Sequence, residues 1–536
     1  MVKKQRRPVH SAPETAVSAP RRVLLRLKKT YRELEPWEPW ILASAYLVFM
    51  AVLTFRYHPV GYFGVETDFY AELVPQAKKI LSGHLSPLNY GAKGPVYSFL
   101  LTGVFLAVRD YFYAGLVLNL VSGFVFLAAL YHLVRSVFNR ATALVTTVAV
   151  MFSYTFLSYT YQAGSDLPFM ALCALSMMFL FRSVKTPDIV LSALFGLLAF
   201  LTRYNGAFIA MGAAIFMALS GGTVRRRIRR LVLWAAVFAL AGLPWFIPNY
   251  LVTGNPVHND NHINVMLEFY GSGEGVTYEN WTDALPREFT GIGDIILYDP
   301  VYFAKHLMAN IGGHFISDMK KLAGIPLGVF VVIGFIVTAF AGPGKKQLVY
   351  FSFGMLYFLI LTLVFYNERF SLYLLAVYFP FMVWPYTEKR VVSRLKRFSA
   401  LPAAVVMLAI MASAVTSVRT VYVDIANPLP ILKDLRALGI TLDTLEPDKS
   451  QKIIARKPHV SYYAGLVPLM FPGDVESADG LVTFCREHRV RYVLYSGVEY
   501  VYRPLLKELI APGFHHPDLE RVAGNRSGVI FRVSGV

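Results

Sequence analysis

Long apolar runs alternate along this chain with short clusters of lysine and arginine. The runs fall at 40–57, 112–134, 141–159, 169–181, 189–201, 204–219, 231–251, 322–340, 348–366, 370–384 and 401–418. Their lengths and lack of charge predict membrane spans, about eleven of them, in a polytopic α-helical bundle. Two further stretches are too short to cross. The amphipathic 70–82 and the apolar 95–108, about 14 residues where roughly 20 are needed, are predicted as helices lying at the outer surface. Counting 95–108 as a span would turn Arg225–Arg230 outward, against the excess of positive charge that cytoplasmic loops carry.

From about residue 420 the pattern changes. The stretches 452–455, 491–495 and 528–533 read as buried strands, and 480–488 and 503–510 as helices between them, which predicts a small C-terminal α/β domain. It has no glycine-rich phosphate loop of the G-x-G-x-x-G type, so no nucleotide is assigned to it. Three regions follow: a basic tail at 1–38, a transmembrane catalytic region at 39–419 with outer loops at 58–111 and 253–322, and an extracytoplasmic domain at 420–536. The tail is too polar and too long before its apolar run to be a signal peptide, and is expected to stay cytoplasmic.

Composition supports the membrane reading. Hydrophobic residues make up 55% of the chain and charged ones 16%. The formal charge of +18 falls in loop clusters, so it points to topology and not to nucleic acid. Cys173 lies in an apolar run and Cys485 in a polar segment, a pair unsuited to a disulfide.

The span assignment has a chemical consequence. Asp68, Lys93, Asp166, Arg203, Glu368 and Arg369 all arrive at the outer membrane face. Carboxylates can take a proton from an acceptor, and Lys or Arg can hold a phosphate. Beside an apolar bundle that can take an isoprenoid tail, this predicts transfer from a lipid-linked phosphate, with cations stabilising the leaving group.

Asp68-Phe69-Tyr70-Ala71-Glu72, then Gly83, then Lys93-Gly94-Pro95, resembles the first outer loop of the GT-C glycosyltransferases. The likeness is closest to the branch of protein O-mannosyltransferases and the aminoarabinose transferase of lipid A. Gly164-Ser165-Asp166-Leu167-Pro168, Thr202-Arg203-Tyr204-Asn205-Gly206 and Asn367-Glu368-Arg369-Phe370 extend the pattern over residues 40–390. The resemblance implies that Asp68 is the catalytic acceptor base, with Glu66 as the competing candidate two positions earlier. It implies that Lys93 meets the donor phosphate and that Asp166 is a second acidic residue of the catalytic site. Arg203 and Arg369 are further candidates for the phosphate, and Tyr70, Glu72 and Glu368 for the acceptor side. It also implies a polyprenyl-phosphate sugar as donor, inversion at the anomeric carbon and no organic cofactor. The acceptor, whether lipid, glycan or protein, stays open, because the mannosyltransferases carry Asp-Glu and His-Pro-Pro where this chain has Asp68-Phe69 and Lys93-Gly94-Pro95. A bacterial inner membrane fits the basic N-terminus. A transporter of lipid-linked sugars is the alternative, but it calls for charges at mid-membrane and for repeats, and neither is evident.

Weaker signals have plainer explanations. His258 and His262 stand four apart, but Gly254, Pro256 and the Asn/Asp run between them favour a loop over a metal site, and no metal is assigned. Tyr270, Tyr278, Trp281 and Tyr298 could stack on sugar rings or simply pack. Asn280 and Asn525 begin glycosylation sequons, a pattern short enough to arise by chance.

Overall fold

The computed structural model describes residues 33–271, 289–395, 400–473 and 475–536. Most of the basic tail, together with Tyr278, Asn280 and Trp281, lies outside the described residues. Every one of the expected apolar runs contains a helix. Their ends follow local chemistry. Asp110 caps Tyr111–Val137 by accepting from Tyr113 N, Asn139 caps Arg140–Met151 by accepting from Thr142 N, and Pro39 opens Glu38–Tyr57. The buried faces of the long helices merge into one apolar core.

Length by itself supports fewer spans than the apolar runs predict. Among the described residues, five helices are long and apolar enough to cross a membrane, and six if Arg140–Met151 and Tyr154–Thr160, bent by 62°, form one broken span. Thr186–Thr202, Tyr204–Leu219 and Ile325–Ala341 are apolar but shorter. Helices of 17 residues such as Asp166–Arg182 rise about 25 Å, less than the roughly 30 Å hydrocarbon core. About eleven crossings is therefore more than length and composition support by themselves.

The two surface segments form as expected by length. Val96–Val108 has 13 residues, and the preceding helix runs 65–81 as Val65–Asp68, a π turn at Phe69–Leu73, and Val74–Leu81. Both pack on the start of Tyr111–Val137 through Phe69, Tyr70, Leu73, Tyr97 and Leu101. The described part of the expected polar loop 253–322 is instead largely helical, with Ile292–Tyr298 and Pro300–Ser317; Asp299 caps the latter by accepting from Tyr302 N, and Pro300 opens it. Within this region Tyr270 and Tyr298 pack on each other, ring centroids 5.2 Å apart.

The C-terminal domain builds a five-stranded sheet in the order β2-β1-β3-β5-β4. The strands are β1 Lys452–Ile454, β2 Val467–Leu469, β3 Tyr492–Ser496, β4 Leu519–Asn525 and β5 Gly528–Val533. The first three are parallel, joined by crossovers carrying His459–Ala464 and Ala478–Glu487; β5 and β4 add antiparallel. The strands absent from the sequence reading, β2 and β4, are the two edges, whose half-exposed positions lack an apolar run. Helix Ala400–Ala426 runs on past residue 420 before Pro430–Leu445 packs on the sheet.

Candidate functional site

Six charged side chains from five chain segments meet at one end of the bundle. They form an alternating line: Glu72, Lys93, Asp68, Arg369, Asp166, Arg203. Lys93 Nζ lies 2.6 Å from Glu72 Oε2 and 3.5 Å from Asp68 Oδ2. Arg369 Nη1 donates to Asp68 Oδ2 at 2.9 Å, and Arg369 Nε to Asp166 Oδ2 at 2.7 Å. Arg203 Nη1 closes the line on Asp166 Oδ1 at 2.5 Å and reaches Ser165 Oγ at 3.4 Å. Three cations face three carboxylates, so the group is neutral overall while each member is paired.

Local structure aims each of them. Asp166 opens a helix and Arg203 follows the end of Thr186–Thr202, where the chain turns extended. Asn367 accepts from Arg369 N at 3.0 Å and starts the short helix that buries Arg369. Phe370 then lies under the Arg203 guanidinium, 5.3 Å from ring centroid to Cζ. The Lys93 loop is braced by Tyr204, whose hydroxyl donates to Tyr90 O at 2.9 Å, and by Asp260 N, which donates to Gly91 O at 2.9 Å.

Gly94 lets that loop approach the backbone of Leu201, two residues before Arg203. A Cβ there would stand 2.1 Å from the carbonyl oxygen of Leu201, a backbone atom that cannot move aside alone. Gly94→Ala is expected to cost about 1–3 kcal/mol, as overpacking does, and to draw Lys93 away from Asp68. Thermal unfolding of the purified variant checks the first effect; an unchanged melting temperature would contradict the contact.

The line shifts the ionisation of its members. Burial alone would raise the Asp68 carboxyl, but Lys93 and Arg369 override it and hold the group at about 2. Burial would likewise lower Lys93, and Glu72, then Asp68, keep it above its ordinary value. Arg369 is 9% exposed, and its Nη2 has no hydrogen-bond partner among the described residues. An unpaired guanidinium donor buried this deeply is costly unless something accepts from it.

Three of the sequence-chosen residues lie off this line. Glu66 is fully buried and turned the other way: it accepts from His58 Nε2 at 2.9 Å, Tyr62 N at 2.5 Å and Ala163 N at 2.8 Å. Tyr70 points to the C-terminal domain, its hydroxyl 3.1 Å from that of Tyr463. Glu368 is half-buried beside Arg369 but forms no ion pair among the described residues. His58, eight residues before Glu66, was not apparent in the sequence; it follows an apolar run with nothing to mark it as a partner. His258 pairs with Asp260 at 3.4 Å in the turn before Asn261–Met266, so it and His262 do not share a helix face.

Residues 92–251 match the family model described as dolichyl-phosphate-mannose-protein mannosyltransferase. The fold is similar to that of ArnT from Cupriavidus metallidurans bound to undecaprenyl phosphate: TM-score 0.57, 13% identity, 92% of this chain and 98% of that one. It is also similar to the oligosaccharyltransferase AglB from Archaeoglobus fulgidus in complex with an inhibitory peptide and a dolichol-phosphate: TM-score 0.54, 12% identity, 87% of this chain and 72% of that one. At these identities the likeness is one of fold. No curated protein sequence matches the chain.

Proposed function

We propose that this chain, a membrane glycosyltransferase of the GT-C fold, moves a sugar from a polyprenyl-phosphate donor to an acceptor hydroxyl at the outer membrane face. The observation that carries this reading is the alternating line of charges, with Asp68 between two cations and Arg369 Nη2 still free to donate. The lipid phosphates held by ArnT and AglB support the donor class.

In this reading Asp68 takes the proton of the acceptor hydroxyl. The acceptor oxygen then bonds to the anomeric carbon as that carbon's bond to the phosphate oxygen breaks. The lipid phosphate leaves with the electron pair, its charge met by Lys93, Arg203 and Arg369. One displacement inverts the anomeric centre. Asp166 bridges both guanidiniums and so positions them, and Glu72 holds Lys93 in reach. A carboxyl held at about 2 is a weak base. A phosphate that takes up Lys93 and Arg369 relieves Asp68 of two positive neighbours, so donor binding strengthens the base as the reaction needs it.

Arg225–Arg230 at the opposite end of the bundle supports this site facing outward with the basic loops in the cytoplasm. The test uses membranes containing the full chain and labelled sugars on polyprenyl phosphate or on nucleotides. Label is expected to leave the lipid donor and not the nucleotide. Lys93→Gln should raise the KM for the lipid donor by about tenfold, the loss of one charge-assisted contact of roughly 1.5 kcal/mol. Label crossing the membrane still attached to its lipid would instead identify a transporter.

A further inference from the structure

The helix that carries Asp68 is gripped by the C-terminal domain at Tyr70 and at the loop before it. We infer that this domain positions Asp68 for reaction, with Tyr463 and His459 as positioning residues that act through Tyr70 and Gly61. The inference rests on the reading of Asp68 as the base.

Tyr70 lies two residues beyond Asp68, inside the π turn Phe69–Leu73, and is 2% exposed. Its ring sits in a socket built by the helix His459–Ala464, with centroids 4.2 Å from Tyr462 and 5.0 Å from His459. Its hydroxyl accepts from Gly61 N at 2.9 Å and pairs with the Tyr463 hydroxyl at 3.1 Å. The carbonyl of the same Gly61 accepts from His459 Nε2 at 2.9 Å, which requires the proton of that imidazole on Nε2. Gly61 is thus held on both sides of its backbone, by the Asp68 helix through its N–H and by the C-terminal domain through its C=O. A side chain is excluded there: a Cβ on Gly61 would lie 2.7 Å from the Tyr70 ring. Arg436 Nη1 reaches Pro59 O at 3.4 Å, and the same guanidinium lies 5.5 Å from the Tyr463 ring centroid.

These contacts restrain rotation of the helix about its own axis. Successive residues turn by about 100°, so Asp68 and Tyr70 project from nearly opposite sides. Fixing the Tyr70 ring in its socket therefore fixes the direction of the Asp68 carboxylate toward Lys93 and Arg369. π turns inside α-helices concentrate at functional sites, and here the turn joins the residue that reads the domain to the residue that faces the cations.

The test is donor turnover by membranes containing full-length variants, with labelled polyprenyl-phosphate sugar as the probe. Tyr463→Ala is expected to lower the maximal rate by about tenfold, short of the roughly 100-fold that a 1 Å misplacement can cost, while the KM for the donor stays within about twofold. Tyr70→Phe, Tyr463→Phe and their double variant keep both rings and remove the hydroxyl pair. The double variant should lose no more than the worse single one, as coupled residues do. An unchanged maximal rate in Tyr463→Ala, a loss confined to KM, or additive losses in the Phe series would overturn the inference. If Tyr463→Ala does not fold, the Phe series decides alone: equal single and double losses support the coupling, and unchanged rates overturn it. Asp68→Asn is run beside them. Full turnover by Asp68→Asn would overturn the reading of Asp68 itself, whereas an inactive Asp68→Asn beside an unaffected Tyr463→Ala overturns only the role of the domain.

Discussion

Asp68→Asn is expected to lower transfer by about 10²–10⁴-fold, the range spanned by general base catalysis, while the protein still folds and binds donor. Asparagine keeps the shape of the side chain, and its amide oxygen can accept from Arg369 as the carboxylate does at 2.9 Å. It cannot take a proton. Donor binding rests on the cations, so the KM for the polyprenyl-phosphate sugar should move little. Glu66→Gln supplies the contrast. Glu66 satisfies donors from His58, Tyr62 and Ala163 in a fully buried pocket, and an amide NH₂ turned toward them would leave donors opposed. That variant should lose stability more than rate per folded molecule. The outcome that sinks the assignment is full transfer by Asp68→Asn.

The sign of the pH effect follows from the ion pairs. The folded Asp68 carboxyl sits at about 2, below its ordinary 3.8. Its pairing thus stabilises the fold fully above 3.8, and that contribution is lost as the pH falls through about 2. Without donor the carboxylate is ionised throughout the physiological range, so an acid limb in kcat/KM near neutrality belongs to another group. Because the Asp68 side chain is 38% exposed, solvent screening keeps its share of the stability modest.

Arg369→Gln is the second large effect, and it acts on stability as well as rate. Among the described residues Arg369 alone bridges Asp68 and Asp166, and Asp166 is 4% exposed. Removing one partner of a buried ion pair costs about 3–5 kcal/mol, because the remaining charge is left uncompensated. Arg203 still holds Asp166, which places the expected loss toward the lower end of that range. Donor affinity should fall with it, since Nη2 is the donor left over for the phosphate. Arg369→Lys should not restore either property. One ammonium on a flexible stem cannot span Asp166 through Nε and Asp68 through Nη1 as the planar fork does. Thermal unfolding and the donor KM, measured on both variants, check this; a lysine that rescues both would show that the charge suffices without the fork.

Much of this charge line is legible in the sequence. Apolar runs with basic clusters at alternate ends put Asp68, Lys93, Asp166, Arg203, Glu368 and Arg369 on one face in the sequence reading, because hydropathy and charge act along the chain and need no knowledge of neighbours; Glu368 is the one of the six that joins no ion pair among the described residues. Lys93-Gly94-Pro95 marked a tight loop, and the helix on either side was short enough to read as lying on the surface. The number of crossings was less legible, since a run of apolar residues reports its composition but not where its helix starts. Gly324, in the left-handed region at φ 81°, begins Ile325–Ala341 three residues later than the apolar run suggests.

The choice between Glu66 and Asp68 shows where sequence stops. Both are carboxylates at the same boundary, two residues apart. On a helix that spacing separates them by about 200°, so one faces Lys93 and Arg369 while the other is enclosed by His58 and two backbone amides. By the same turn Glu72 joins Asp68 on the cationic side and Tyr70 faces the C-terminal domain. Which side of the helix meets the cations depends on Asp166, Arg203 and Arg369, some 100 to 300 positions away, and on the helix His459–Ala464, some 390 positions away. The sequence by itself determined a membrane bundle with its charge gathered at one face. Only the packing of distant helices decided which carboxylate has two cations beside it, because pair energies fall with distance in space and are blind to distance along the chain.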